Sequence, residues 1–170
     1  MNNRNNKGFT LIELLVVLAV IAACTGIAAA SVSTVSYSAA KRCASELDTA
    51  ISRCRIDAMS RAGSVYLKIS RDGGGNVVAE EAENGAAVAS DIVGGPRCGV
   101  TFTTDAAHSL GVSGNALYLS FDRETGALRT LLPDGVSDAP QQCGSISVSG
   151  GGRTFTITFV PVTGAHTLEG

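Results

Sequence analysis

The sequence contains no tryptophan, and aromatic residues make up 5% of its 170 residues. Proline occurs 4 times and histidine 2 times, against 20 glycines. Few large aromatics and many glycines imply a modest core and many tight turns. Charge is sparse at 16%, with a net charge of -2 and an isoelectric point near 5.6. No global basic field is available to gather nucleic acid. Catalytic signatures are missing too. There is no H-E-x-x-H, G-x-S-x-G or Walker sequence, and neither His108 nor His166 lies in a nucleophile-and-carboxylate motif. The cysteines form no C-x-x-C pair, which argues against zinc. These absences give the expectation of a non-enzymatic chain with no cofactor and no metal.

One long run also lacks charge altogether. From Leu14 to Ala40 no charged residue occurs, and about 20 apolar residues suffice to span a bilayer. In front stands the polar leader MNNRNNKG, with Arg4 and Lys7 as its charges. Positive charge on that flank holds it on the cytoplasmic side and sends the rest of the chain outward. Two readings are open. The run is either a retained anchor or the apolar region of an ordinary signal peptide, cut after Ala28-Ala29-Ala30 and before Ser31. Glu13 separates them. A carboxylate in an apolar segment costs roughly 2.5–3.5 kcal/mol at mid-membrane, so it calls for a function and a partner. A plain signal peptide has no use for it.

Gly8-Phe9-Thr10-Leu11-Ile12-Glu13 resembles the processing motif of type IV pilins and type II secretion pseudopilins. The resemblance covers about 25 residues and has definite implications. A prepilin peptidase cuts between Gly8 and Phe9, the new amine of Phe9 is N-methylated, and the apolar helix is kept. Other pilin or pseudopilin subunits, assembly platform proteins and the cytoplasmic membrane are the implied partners. The implied location is a single pass through that membrane, with the head on the periplasmic or extracellular side, and then a filament. Glu13 is expected to meet the Phe9 ammonium of a neighbouring subunit. Buried charges are tolerable in pairs and costly alone, so such a pair sets register more than it stabilises. Where major pilins often carry a proline this chain has Ala30, and Thr25-Gly26 is the place where the helix softens instead.

Beyond the run, Tyr37, Ala40, Ala44, Leu47, Ile51, Cys54 and Ala58 step by three and four, an amphipathic helical stripe. Gly63 is its natural stop. The expected organisation is a leader over 1–8, a transmembrane and assembly helix over 9–35, its amphipathic continuation over 36–62 and a β-rich head over 63–170. One helix from about Thr10 to Ala62 serves both middle parts.

After Gly63 the period changes to two. Ser64–Ser70 and the NVVAEEA stretch from Asn76 flank the Asp72–Gly75 turn as a hairpin. Gly99–Thr104 is a further strand. ALYLSFD and ALRTLL flank the turn Arg123–Gly126. SISVS and RTFTITFV flank Gly150–Gly152, and a last short strand follows Pro161. Seven or eight antiparallel strands behind one helix make an α+β head. With its C-terminal TFTITFVPVTG run, this head is similar to the H-type minor pseudopilins and related minor pilins. The triple glycines lie between strands, so they read as hairpin turns and not phosphate loops. Asp122 and Glu124 read as a solvated turn and not a calcium cage.

Some minor pilins of this branch take up DNA through a C-terminal Gly-Arg-x-Arg. Here the matching stretch is Thr163-Gly164-Ala165-His166-Thr167, without either arginine. On the helix, Lys41, Arg42, Arg53, Arg55 and Arg61 are interleaved with Glu46, Asp48 and Asp57. DNA uptake is therefore the weaker alternative, as is a secreted or anchored binding module.

Of the five cysteines, Cys24 falls in the apolar run and serves as a small apolar residue. Cys43, Cys54, Cys98 and Cys143 would lie outside the membrane, where disulfides persist. Cys43 and Cys54 are on one helix about 16 Å apart, beyond the roughly 7 Å a disulfide allows. Bridges from Cys43 and Cys54 to Cys98 and Cys143, in either pairing, are the expectation. Buried free thiols are the alternative.

Overall fold

The computed structural model describes residues 10–104, 107–110 and 115–170, and of residues 25–32 and 107–109 the backbone alone. A single helix, α1 (Leu11–Ser60), runs for 50 residues, about 75 Å at 1.5 Å per residue. Thr10 caps it. Its Oγ1 accepts from the Glu13 amide at 3.3 Å, which satisfies one of the orphan donors of the first turn. The helix stops two residues earlier than the sequence implies. Arg61 turns extended, and its N–H still reaches Asp57 O at 2.9 Å.

Ten strands follow among the described residues: β1 (Val65–Arg71), β2 (Val77–Glu83), β3 (Ala86–Gly94), β4 (Gly99–Thr103), β5 (Ala107–Ser109), β6 (Leu117–Phe121), β7 (Leu128–Leu131), β8 (Ser145–Gly150), β9 (Arg153–Val160) and β10 (Ala165–Glu169). They form two antiparallel five-stranded sheets, in the orders β3-β2-β1-β6-β7 and β10-β9-β8-β4-β5. The fold is thus α+β with a β-rich head, as the period change implies. The sequence reading omits β3 and β5. An Asn-Gly pair makes β3 legible in retrospect. Asn84 and Gly85 have φ of 52° and 82°, the left-handed pair that a two-residue hairpin loop requires, and Glu83 pairs with Ala86 across it.

Core and helix meet as the stripe dictates. Ala40, Ala44, Leu47, Ile51, Cys54 and Ala58 are all buried, with Tyr37 packed against them. Alternate residues of the strands face the same core: Val65, Leu67 and Ile69 from β1, Ile146 and Val148 from β8, and Phe155, Ile157 and Phe159 from β9. Each such aliphatic side chain stabilises the fold by about 1.5–3 kcal/mol relative to exposure. The helix touches β1, β3 and β6 of one sheet and β8 and β9 of the other, so it closes the core of both.

Before the head, the helix has no such cover. Leu11, Ile12, Leu14, Leu15, Val16, Val17, Leu18, Val20 and Ile21 are all at least half exposed. Among the described residues no helix is long and apolar enough to cross a membrane.

Candidate functional site: the N-terminal assembly signal and its seat on the head

Gly8 and Phe9 lie outside the described residues, so the cleavage junction has no geometry here. Glu13 is described. It sits exposed in the first turn of α1, its amide bound to the Thr10 side chain. A carboxylate at a helix N-terminus is favoured by the helix dipole. The capping role of Thr10 is what the motif alone does not state. The Thr-x-x-Glu spacing carries the capping-box signal, and it orients the first turn that presents Glu13.

At the other end, the head grips the helix in three places. The β8–β9 turn, Gly151-Gly152, has φ of 61° and 78° and lies directly on the helix backbone. A Cβ on Gly151 would come within 2.7 Å of Tyr37 N, and Ser33 Oγ donates to Gly151 O at 3.3 Å. Tyr37 stacks against Phe155 at 5.6 Å, with the Arg153 guanidinium 5.7 Å from the centre of its ring. Further along, the side chain of His166 of β10 is only 8% exposed. Its Nε2 lies 3.2 Å from Ser52 Oγ and 3.4 Å from Asp48 Oδ1. His166 thus lies on the short strand expected after Pro161. A serine, a histidine and an aspartate do meet, but both partners address one ring nitrogen, while Nδ1 is buried with no partner. A relay needs one partner on each nitrogen, so the cluster fastens strand to helix. Third, Arg61 joins Asp57, Glu81 and Glu83 at the end of α1.

The turn carboxylates are occupied by their own loops. Asp72 Oδ1 accepts from Gly74 N at 2.9 Å and Asn76 N at 2.8 Å. Asp122 Oδ1 accepts from Glu124 N, Thr125 N and Thr125 Oγ1. Hydrogen bonds from Asn76 and Thr125 respectively hold these two carboxyls below the usual range. Among the described residues no group of histidine, cysteine or carboxylate side chains is placed to hold a metal. A shallow cleft of about 300 Å³ between α1 and β3 is lined by Ala39, Arg42, Glu46 and Ile92, and these lining residues include no nucleophile beside a base. Several helix arginines of the DNA alternative are engaged. Arg42 meets Glu46 at 2.7 Å, Arg53 meets Asp91 at 3.6 Å, and Arg55 donates to Thr163 O at 2.8 Å.

No disulfide joins the cysteines. Cys43, Cys54, Cys98 and Cys143 are free and buried, and Cys24 is exposed. They are not equivalent. Burial, followed by the neighbouring Cys98 thiol, pushes the Cys43 thiol up to about 12. Cys54 instead has Glu81 and Asp57 as its charged neighbours, and Cys143 Sγ donates to Ser145 O at 3.5 Å. Burial raises both to about 12. Neither of the expected helix-to-head bridges is formed in this structure, and Cys98 is the cysteine beside Cys43.

A family model described as the prokaryotic N-terminal methylation motif matches residues 3–29. The chain therefore carries the type IV pilin and pseudopilin signal, which implies processing by a prepilin peptidase and pilin-type partner subunits. No curated protein and no solved structure matches the chain.

Proposed function

We propose that this chain is a minor pilin or pseudopilin, a subunit that assembles into a type IV pilus-like or type II secretion filament. The observation that carries this reading is the continuity of the methylation motif at residues 3–29 with one helix from Leu11 to Ser60. The far half of that helix is built into the head. Cutting such a helix after Ala30 would leave a head without its anchor, whereas cutting after Gly8 keeps anchor and head as one rod. Residues 9–35 cross the cytoplasmic membrane before assembly, and the apolar side chains from Leu11 to Ile21 meet first lipid and then neighbouring helices. Assembly platform proteins receive the subunit there, with the head on the outer side. In the filament Glu13 pairs with the N-methylated Phe9 amine of a neighbour. The chain performs no catalysis, and the head follows the pattern of the H-type minor subunits.

N-terminal sequencing of the mature protein tests the proposal. A chain beginning at N-methylated Phe9 supports it. A chain beginning at Ser31 overturns it in favour of a secreted binding module.

A further inference from the structure

We propose that Cys43 and Cys98 are a disulfide-forming pair while Cys54 and Cys143 remain thiols, so that a single covalent staple ties the long helix to the head. Cys98 is the thiol neighbour that adds to the effect of burial on Cys43, and the surroundings hold both in place. Cys43 is carried on α1 and is fully buried. Cys98 closes the turn after β3, where its N–H donates to Gly95 O at 3.1 Å. Arg71 fixes that turn by donating to three carbonyls from three separate segments. Its Nη2 meets Cys98 O, Nη1 meets Gly75 O at 2.6 Å, and Nε meets Leu110 O at 3.2 Å. The end of β3 comes so close to the helix that a Cβ on Gly94 would fall 2.6 Å from Cys43 Sγ. Glycine at 94 is what lets the strand end, and with it the Cys98 turn, settle on Cys43.

The reaction is thiol–disulfide exchange with a disulfide-bearing oxidant, either a protein dithiol oxidant or glutathione disulfide. One thiolate attacks the oxidant's S–S bond, forming a mixed disulfide and releasing one oxidant thiol. The second thiolate attacks the protein sulfur of that mixed disulfide, forming the Cys43–Cys98 bond and releasing the second oxidant thiol. Two electrons pass to the oxidant, and its two sulfurs take up the two protons. Exchange needs a thiolate and access. The folded head denies access to both sulfurs, because both are buried. The bond therefore forms while the helix and head are docking, and it is then shielded from reductant. The pair itself does not depend on the filament reading, and only the supply of oxidant rests on the head lying outside the cytoplasmic membrane.

The full-length chain, reduced and denatured, is refolded in detergent with a glutathione and glutathione disulfide buffer. It is then alkylated in denaturant without reduction and cut with trypsin. The cysteines outside the apolar run fall on separate peptides, 43–53, 54–55, 98–123 and 130–153. The expected result is 43–53 linked to 98–123, with Cys24, Cys54 and Cys143 alkylated in the intact mass. Five alkylated cysteines, or a link involving 54–55 or 130–153, would overturn the proposal. The same map is made on the chain recovered from cells. The bond formed in vitro with free thiols in the cell would uphold the pair and count against the outward placement of the head.

Discussion

Arg61 Nη1 donates to Glu83 Oε2 across 3.0 Å, joining the residue that ends the long helix to the last residue of β2. The same guanidinium reaches Asp57 Oδ2 at 3.1 Å and stands 4.0 Å from Glu81 Oε1. Three carboxylates thus share one cation at the point where helix gives way to sheet. The arrangement has an internal tension, because Glu81 is only 6% exposed. Burial, then its hydrogen bond to Asp57 and the charge of Asp57, raise its carboxyl above the ordinary 4.5, while Arg61 and Arg53 pull it back down.

A raised acid binds its proton more tightly in the folded state. Its contribution to stability is therefore fully present below pH 4.5 and is lost as the pH rises through the folded value. Glu81→Gln, which keeps the shape without the charge, should raise the urea midpoint of the head at pH 7 and change it little at pH 3.5. A lower midpoint at pH 7 would mean that the attraction of Arg61 outweighs the burial of Glu81.

Gly151 allows the β8–β9 turn to rest on the helix at Tyr37. Gly151→Val adds a side chain at φ 61° and directs it into the Tyr37 backbone. Strain and displacement together should cost about 2–4 kcal/mol, read as a lower midpoint in urea with the slope unchanged. A loss within about 0.5 kcal/mol, the range of ordinary surface substitutions, would show that the turn is not seated on the helix.

Asn84 holds a left-handed backbone at φ 52°, and its Oδ1 accepts from Ser64 N at 3.0 Å. Asn84→Ala removes the acceptor and raises the cost of that conformation, for a loss of about 1–2 kcal/mol. Asn84→Gly should recover the conformational part and lose the hydrogen bond. Thermal melts of the three proteins separate the two contributions. Equal melting of Asn84→Ala and Asn84→Gly would leave no role for the backbone conformation.

Glu13 is presented by the Thr10 cap at the helix start. In the proposed filament, Glu13→Gln preserves size but leaves a neighbour's Phe9 ammonium without its counter-ion. Cleavage at Gly8 should proceed nearly as before, while incorporation falls on the order of tenfold or more, the effect of losing about 1.4 kcal/mol or greater. Crosslinking to the major subunit in cells reads the difference. Equal yields from wild type and variant would make Glu13 a tolerated polar residue with no assembly role.

Features with a short repeat were legible in the sequence. The stripe from Tyr37 to Ala58 marked the buried helix face because a helix brings every third or fourth residue to one side whatever it packs against. The hairpins around Gly73–Gly75, Arg123–Gly126 and Gly150–Gly152 were legible for a similar reason, since turn chemistry is local. Asn84-Gly85 carries the same local signal for β3. The N-terminal signal at 3–29 is likewise a contiguous string. The tertiary structure alone decided what distance in sequence conceals. It divided the ten strands of the described residues between two sheets, drew His166 from the last strand onto Ser52 and Asp48, and chose Cys98 as the neighbour of Cys43. Spacing could only exclude the pair Cys43 and Cys54, because rise per residue sets distances along one helix. Distances between helix and head depend on close packing, here on Gly94 leaving room at the Cys43 sulfur and on Arg71 holding three carbonyls together.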